Sequence, residues 1–190
     1  MRRASLTTVS GIEDPNVGEI IVAGGEVQHR VAEIGAGITA DYEGRTPLLV
    51  GILKGAFVFM ADLIRHIDLP VEVDFMAVSS YGSSTRTSGV VRIIKDLDRD
   101  IAGRYIILVE DILDSGLTLR YLRKTLLARR PASLEICTLL AREGENDVDA
   151  LVKYSGFHIP PGWVVGYGLD VGERHRELPD IRRYHAENTI

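Results

Sequence analysis

The sequence of 190 residues predicts an α/β fold: a twisted, mainly parallel β-sheet with helices on both faces. Three observations carry that expectation. From Ile20 onward, short apolar runs alternate with stretches of helical periodicity. The runs are almost continuously apolar, as in strands buried on both sides. The length suits one domain with a substantial core.

Each element follows from its own pattern. Val27, Val31, Ile34 and Ile38, spaced by four, three and four, lie on one face of a helix, although Gly35 and Gly37 weaken it. Pro47 to Leu53 reads as a buried strand. Ala56 to Ile67 is a helix with Met60, Leu63, Ile64 and Ile67 as its stripe. Val71–Val78 and Val90–Ile94 are strands. Tyr105–Val109 is a strand whose following helix shows Leu119, Leu122 and Leu126. Leu134–Leu140 is another strand, and Trp163–Tyr167 is expected to be the last. Residues 11–25 and 141–190 are less regular and are expected to form a small second layer over the sheet ends. The expected organisation is a flexible arm over 1–18, a single domain over 19–183 and a tail over 184–190.

Composition excludes several classes of function. Hydrophobic residues make up 45% and charged residues 26%, a globular balance and not a disordered one. Twenty-seven acidic residues outnumber 22 basic ones, giving a formal charge of −5. That balance argues against a nucleic-acid partner but leaves room for a small anion held by a few placed cations. The single Cys137 excludes an internal disulfide and a multi-cysteine metal site, and its apolar strand makes it a small core residue. His29, His66, His158 and His185 lack metal-ligand spacing. No apolar run nears the roughly 20 residues that span a bilayer. Met1-Arg2-Arg3 is not followed by the apolar stretch of a secretory signal. A soluble, cytoplasmic protein without membrane partners is expected. Arg129-Arg130 and Arg182-Arg183 read as solvated surface.

In parallel sheets ligands sit beyond the carboxyl ends of the strands. The loops after Leu53, Ser80, Val109, Leu140 and Tyr167 are therefore the places to search. The most informative segment is Val109-Glu110-Asp111-Ile112-Leu113-Asp114-Ser115-Gly116-Leu117-Thr118. An apolar strand ends in two adjacent acids, a third follows three residues later, and Ser-Gly-Leu-Thr opens a helix. A helix start presents unpaired N–H groups and the positive end of the dipole, which favours phosphate. Gly116 lets the backbone come close, and Ser115 and Thr118 add hydroxyls. Acids beside such a cradle make sense if they hold sugar hydroxyls or a divalent cation. One acid in such a place is ordinarily a helix cap or solvated; three in this pattern are not.

This segment resembles the phosphoribosyl-diphosphate motif of the type I phosphoribosyltransferases. From about Ile20 to Pro179 the chain is similar to their hypoxanthine-guanine branch. Three further blocks carry the resemblance: Leu49-Val50-Gly51-Ile52-Leu53-Lys54-Gly55-Ala56-Phe57, Ser80-Tyr81-Gly82, and Val164-Val165-Gly166-Tyr167-Gly168-Leu169-Asp170 with Arg176 downstream.

The resemblance implies a type I phosphoribosyltransferase fold with a small hood built from the N- and C-terminal segments. It also implies Mg²⁺-assisted transfer of a phosphoribosyl group from phosphoribosyl diphosphate to hypoxanthine or guanine, a step in purine salvage. Glu110 and Asp111 would hold the ribose hydroxyls and the metal. Asp114 would be the general base at N7 of the purine. Ser115, Gly116, Leu117 and Thr118 would cradle the 5′-phosphate. Lys54, Gly55 and Arg176 would bind diphosphate, and Ser80 and Tyr81 would close over it within a lid spanning Ser79–Gly89. Trp163 would stack on the purine, and Val164 would contact it through its backbone. Asp170 would contact metal through water or accept from an exocyclic amine.

One position departs from the pattern. Arg142 stands where the branch usually has the lysine that donates to O6 of the purine, and the two cations are not interchangeable. The expectation is that Arg142 still reads a 6-oxo group. Val171 and His175 also stand where aromatic residues are frequent; His175 reads as a surface residue. Phe57, Val58 and Phe59 give the second helix more apolar surface than one face can bury, which predicts a homodimer or homotetramer through it. The competing readings are the same transfer to xanthine or an unusual purine, and a non-catalytic nucleotide-sensing regulator. The regulator is disfavoured by the short arm and the negative charge.

Overall fold

A computed structural model describes residues 14–80, 91–142 and 151–186. In chain order the elements are β1 (Val17–Val22), α1 (Gly24–Asp41), β2 (Leu48–Leu53), α2 (Phe57–Leu63), β3 (Glu72–Ser80), β4 (Val91–Lys95), β5 (Tyr105–Leu113), α3 (Leu117–Leu127), β6 (Ser133–Arg142), β7 (Tyr154–Ile159), β8 (Trp163–Val165) and β9 (Ile181–Tyr184). A 3₁₀ turn, Ile64–His66, continues α2.

The principal sheet has the order β4-β3-β2-β5-β6-β7. All neighbours are parallel except β3 and β4, which run antiparallel. The period of two along each strand sorts its side chains onto opposite faces. Leu49, Ile107, Val109, Cys137 and Leu139 face one core with Val27, Val31, Ile34 and Ile38 of α1 and Phe59, Met60 and Leu63 of α2. Leu48, Val50, Ile52, Ile106, Leu108 and Ile136 face the other, with Leu119, Leu122 and Leu126 of α3. The start of α1 is closed by carboxylates. Glu26 accepts the Ala23 N–H (3.0 Å) and Asp180 accepts the Gly24 N–H (2.9 Å), pairing donors that a helix start otherwise leaves free.

The hood is a separate antiparallel sheet of order β1-β9-β8. Trp163–Val165 therefore belongs to the hood and not to the parallel sheet. It stops at Val165 because Gly166, Tyr167 and Gly168 all take positive φ (99°, 51° and 97°). It is also not the last strand, since β9 follows. β7, which the sequence reading did not anticipate, completes the edge of the principal sheet. β1 begins at Val17, inside the segment read as arm.

Arg130 is exposed, in line with the solvated reading, but its partner Arg129 and the Arg182-Arg183 pair are not. Arg129 makes a two-pronged contact with Asp96 (2.9 and 2.6 Å). Arg182 meets Asp180 at 3.2 Å, and Arg183 donates to Pro161 O at 2.7 Å. Cys137 is buried in the core as expected. Among the described residues no helix is long and apolar enough to cross a membrane.

Candidate active site

The parallel register sets the site. Gly51 lies opposite Val109 and Leu113 opposite Ala141, so the carboxyl ends of β2, β5 and β6 come out along one edge of the sheet. β5 runs on through Leu113, so Glu110 and Asp111 sit within the end of a central strand and not in the loop beyond it. Glu110 Oε2 is shut off from solvent and has no hydrogen-bond partner among the described residues. Burial, with the neighbouring Asp111 charge, pushes the Glu110 carboxyl well above its usual range. Burial pushes Asp111 up to about 6, against the lowering effect of the Ile112 N–H at 2.8 Å and of Arg176. The two adjacent carboxyls are half-buried, and the enclosed Glu110 oxygen suits a hydroxyl donor or a cation.

Gly55 packs against Asp111 so closely that a Cβ there would lie 1.5 Å from Asp111 Oδ2 and would displace the carboxylate. The Leu53–Lys54 peptide before it is cis. Gly168 in turn packs on Gly55, since a Cβ on it would fall 2.3 Å from Gly55 O. Arg176 braces that contact by donating to Gly168 O at 2.7 Å, and it pairs with Asp170 at 2.8 Å. Glu173, which the sequence reading did not single out, joins the group through one oxygen. Its Oε2 lies 3.0 Å from Lys54 Nζ and 3.2 Å from Arg176 Nη2. The two cations expected to bind diphosphate thus share a carboxylate oxygen. His175 is not a surface residue: it is largely buried and meets Asp14 at 2.9 Å, which ties the segment before β1 to the loop carrying Arg176.

The second half of the site is the turn into α3. Gly116 caps the helix at φ 69°, a left-handed conformation that glycine adopts freely. The first helical donor with a backbone acceptor is Arg120, bonded to Gly116 O at 2.9 Å. The earlier N–H groups border a cavity of about 80 Å³ lined by Glu110 and by Ile112, Leu113, Asp114, Ser115, Gly116, Leu117, Thr118 and Leu119. That is a preformed anion cradle next to the half-buried acids. Asp114 is exposed and ion-paired: Arg142 Nε lies 2.9 Å from its Oδ1. Arg142 also donates to Gly162 O (2.5 Å), directly before Trp163. Trp163 is 62% exposed, a bare aromatic face and not a core residue. Val164, next to it, is buried in the hood.

Ser80 ends β3. Tyr81 and the rest of the expected lid from 81 to 89 lie outside the described residues. A larger cavity, about 610 Å³, lies between the start of α1, α2 and the loop after β8, lined by Gln28, Phe57, Val58, Tyr167 and Pro179 among others. It contains none of the three motif acids and is not where the chemistry converges. Among the described residues no set of three or more His, Cys, Asp or Glu side chains is placed to hold a metal alone. Mg²⁺ ordinarily keeps several waters and takes one or two carboxylates with substrate phosphates, and Glu110 with Asp111 fit that lesser demand.

A parallel sheet that presents half-buried acids beside a helix-start anion cradle, under a hood offering an aromatic face, defines a protein built to handle a sugar phosphate and a planar ring. Residues 18–171 match the phosphoribosyl transferase domain family, and the chain belongs to that family. It is a pentosyl-transferring enzyme of this family by its relatives. It is 49% identical over 166 residues to the hypoxanthine-guanine phosphoribosyltransferase of Bacillus subtilis, covering 87% of this chain and 92% of that one. It is 48% identical over 172 residues to the enzyme of the same name from Mycobacterium tuberculosis, covering 87% and 85%. Among solved structures, a hypoxanthine phosphoribosyltransferase from Staphylococcus aureus matches with a TM-score of 0.89 at 40% identity, over 96% of this chain and 100% of that one. A hypoxanthine-guanine phosphoribosyltransferase from Bacillus anthracis, with a HEPES molecule in its active site, matches with a TM-score of 0.82 at 42% identity, over 88% and 98%.

Proposed function

We propose that this chain transfers the 5-phosphoribosyl group of phosphoribosyl diphosphate to hypoxanthine or guanine, giving IMP or GMP and diphosphate. The observation that carries the reading is the β5–α3 junction, where the half-buried Glu110 and Asp111 adjoin an anion cradle and Asp114. The loop from Ser115 to Thr118 holds the 5′-phosphate on backbone N–H groups and hydroxyls. Glu110 and Asp111 hold the ribose hydroxyls. Lys54, Gly55 and Arg176 receive the diphosphate, with Ser80 and Tyr81 covering it. Trp163 stacks on the purine, Val164 contacts it through its backbone, and Arg142 donates to the 6-oxo group.

As a purine ring nitrogen bonds to the anomeric carbon, the bond to diphosphate breaks and its electron pair leaves with the diphosphate. Asp114 takes the proton from N7, which keeps positive charge from building up on the base. Glu110 and Asp111, with Asp170 through water, would hold Mg²⁺, which would supply positive charge to offset that on the departing diphosphate. The enzyme works in the cytoplasm as a homodimer or homotetramer associated through α2, whose Phe57 is 44% exposed.

Arg142, in place of the usual lysine, favours keeping xanthine as a second acceptor. One experiment tests both acceptors: incubate the protein with phosphoribosyl diphosphate, Mg²⁺ and single bases, and assay nucleotide and diphosphate. Hypoxanthine and guanine are expected to lead. Asp114→Asn is expected to slow turnover roughly 10²–10⁴-fold, the usual worth of a positioned base, while phosphoribosyl diphosphate still binds. No nucleotide from any base would defeat the reading.

A further inference from the structure

We infer that Arg142 is a positioning residue for Asp114, holding the proton acceptor in place from the wall of the base pocket. The inference rests on the proposed function, in which Asp114 serves the base. Leu113 and Ala141 are opposite one another at the ends of β5 and β6, so the residues that follow them, Asp114 and Arg142, come out side by side. Asp114 is 68% exposed on its side chain, whereas Arg142 is only 18% exposed. A loose acid therefore meets an anchored cation, and among the described residues Nε–Oδ1 at 2.9 Å is the one side-chain contact that fixes the Asp114 carboxylate.

The anchor itself is built. Arg142 Nη1 donates to Gly162 O. Gly162 adopts φ 128° and packs against Arg183, whose Nη1 would lie 2.2 Å from a Cβ there. Arg183 pins the preceding carbonyl of Pro161 at 2.7 Å. The chain of contacts runs from the hood through Gly162 and Arg142 to Asp114, and Trp163 follows Gly162 directly. The aromatic face and the proton acceptor are thus referred to a single guanidinium.

The chemistry requires arginine. A guanidinium has five N–H donors in a rigid planar fork. One serves Asp114 and one serves Gly162, which leaves three to face a base oxygen. A lysine ammonium is a rotatable point charge and cannot hold two partners at fixed relative positions. The departure from the usual lysine therefore makes this enzyme depend on a brace between its base reader and its general base.

A double-mutant cycle tests the brace, because coupled residues fail additivity. In the wild-type background Arg142→Lys keeps charge and a donor and is expected to lower kcat about 10- to 100-fold, the scale of a misplaced catalytic group, with KM for hypoxanthine rising less than about threefold. In the Asp114→Asn background the same substitution is expected to change kcat less than about twofold. Losses that multiply independently, or a loss confined to KM, would overturn the inference. A crystal structure of ligand-free Arg142→Lys gives a second reading that needs no activity. Displacement of the Asp114 carboxylate is expected, and a carboxylate that stays in place overturns the brace. An inactive wild type defeats the proposed function instead, and the crystal structure still decides the contact.

Discussion

Glu173 shows how a single side chain can engage the two cations proposed to receive the diphosphate. Its Oε2 stands between Lys54 Nζ and Arg176 Nη2, as an oxygen of a diphosphate would. Lys54 and Glu173 are both more than 60% exposed on their side chains, so solvent screens the pair and it is weak. A polyanion bearing several charges displaces so weak a partner at little cost. Glu173→Gln is therefore expected to lower KM for phosphoribosyl diphosphate by about two- to fivefold, with kcat nearly unchanged. Steady-state kinetics at low salt would check this, and a KM that rises severalfold would show that Glu173 supports the loop. The contact was not legible in sequence. The acids, glycine and hydroxyls of the β5–α3 junction are neighbours in the chain, so their pattern survives without a structure. Glu173 meets Lys54 across 119 residues, and Asp114 meets Arg142 across the gap between two strands. Arg142 was legible as an unusual residue in a base-reading position, but its contact with Asp114 was not.

The elements divide along the same line. Helices with regular stripes and strands with continuous apolar runs were read correctly, because burial on one or both faces writes itself into local periodicity. β7 and β9 escaped. Tyr154–Ile159 carries Gly156 and His158, and Gly156 is required because a Cβ there would sit 2.1 Å from Leu139 O. Ile181–Tyr184 carries two arginines, one met by Asp180 two residues away and the other by Glu19 of β1, so the strand lacks a continuous apolar run. In α1 the two glycines that weaken the helical pattern turn out to differ. A Cβ on Gly35 would come within 2.6 Å of His66 Cβ and of the His66 carbonyl oxygen, so this glycine lets α1 close on the 3₁₀ turn. Gly37 has nothing within 4 Å. Replacing either by alanine gains roughly 0.5–1 kcal/mol of helix propensity. At Gly37 nothing opposes that gain, and Gly37→Ala is expected to stabilise by about that amount. At Gly35 overpacking against backbone costs about 1–3 kcal/mol and outweighs it, so Gly35→Ala is expected to destabilise. Denaturant titration of the two variants gives the comparison, and equal signs would show that α1 can shift away from the turn.

Across the whole molecule the half-buried acids place function and stability in opposition, and pH separates them. Glu110 and Asp111 both hold their protons in the fold at pH values where the unfolded chain has released them. The folded state then binds more protons than the unfolded one, so its stability falls as pH rises through the folded pKa values. For Asp111, raised from 3.8 to about 6, the loss is about 2–3 kcal/mol between roughly pH 4 and pH 7. Asp14, Glu19, Glu33, Asp41, Asp74 and Asp96 act in the opposite sense. Hydrogen bonds and neighbouring cations hold these six low, so their contribution is present above the usual carboxylate range and is lost as pH falls below it. The two windows barely overlap, and the ligand-free protein is expected to be most stable in mildly acid solution. Asp111→Asn removes the carboxylate that burial pushes up to about 6 and is expected to raise Tm at pH 7.5 by about 2–6 °C, with little change at pH 5. Under the proposed function catalysis should fall in the same variant, since the ribose would lose a ligand. Phosphoribosyl diphosphate with Mg²⁺ should raise the wild-type Tm at pH 7.5 without any substitution, by binding the folded state and pairing those charges. Thermal unfolding of wild type and variant at pH 5, 6, 7 and 8 would decide the matter. Parallel curves, or a variant less stable at pH 7.5, would mean that the two acids are solvated and that the strand end is not the strained, cation-seeking site described above.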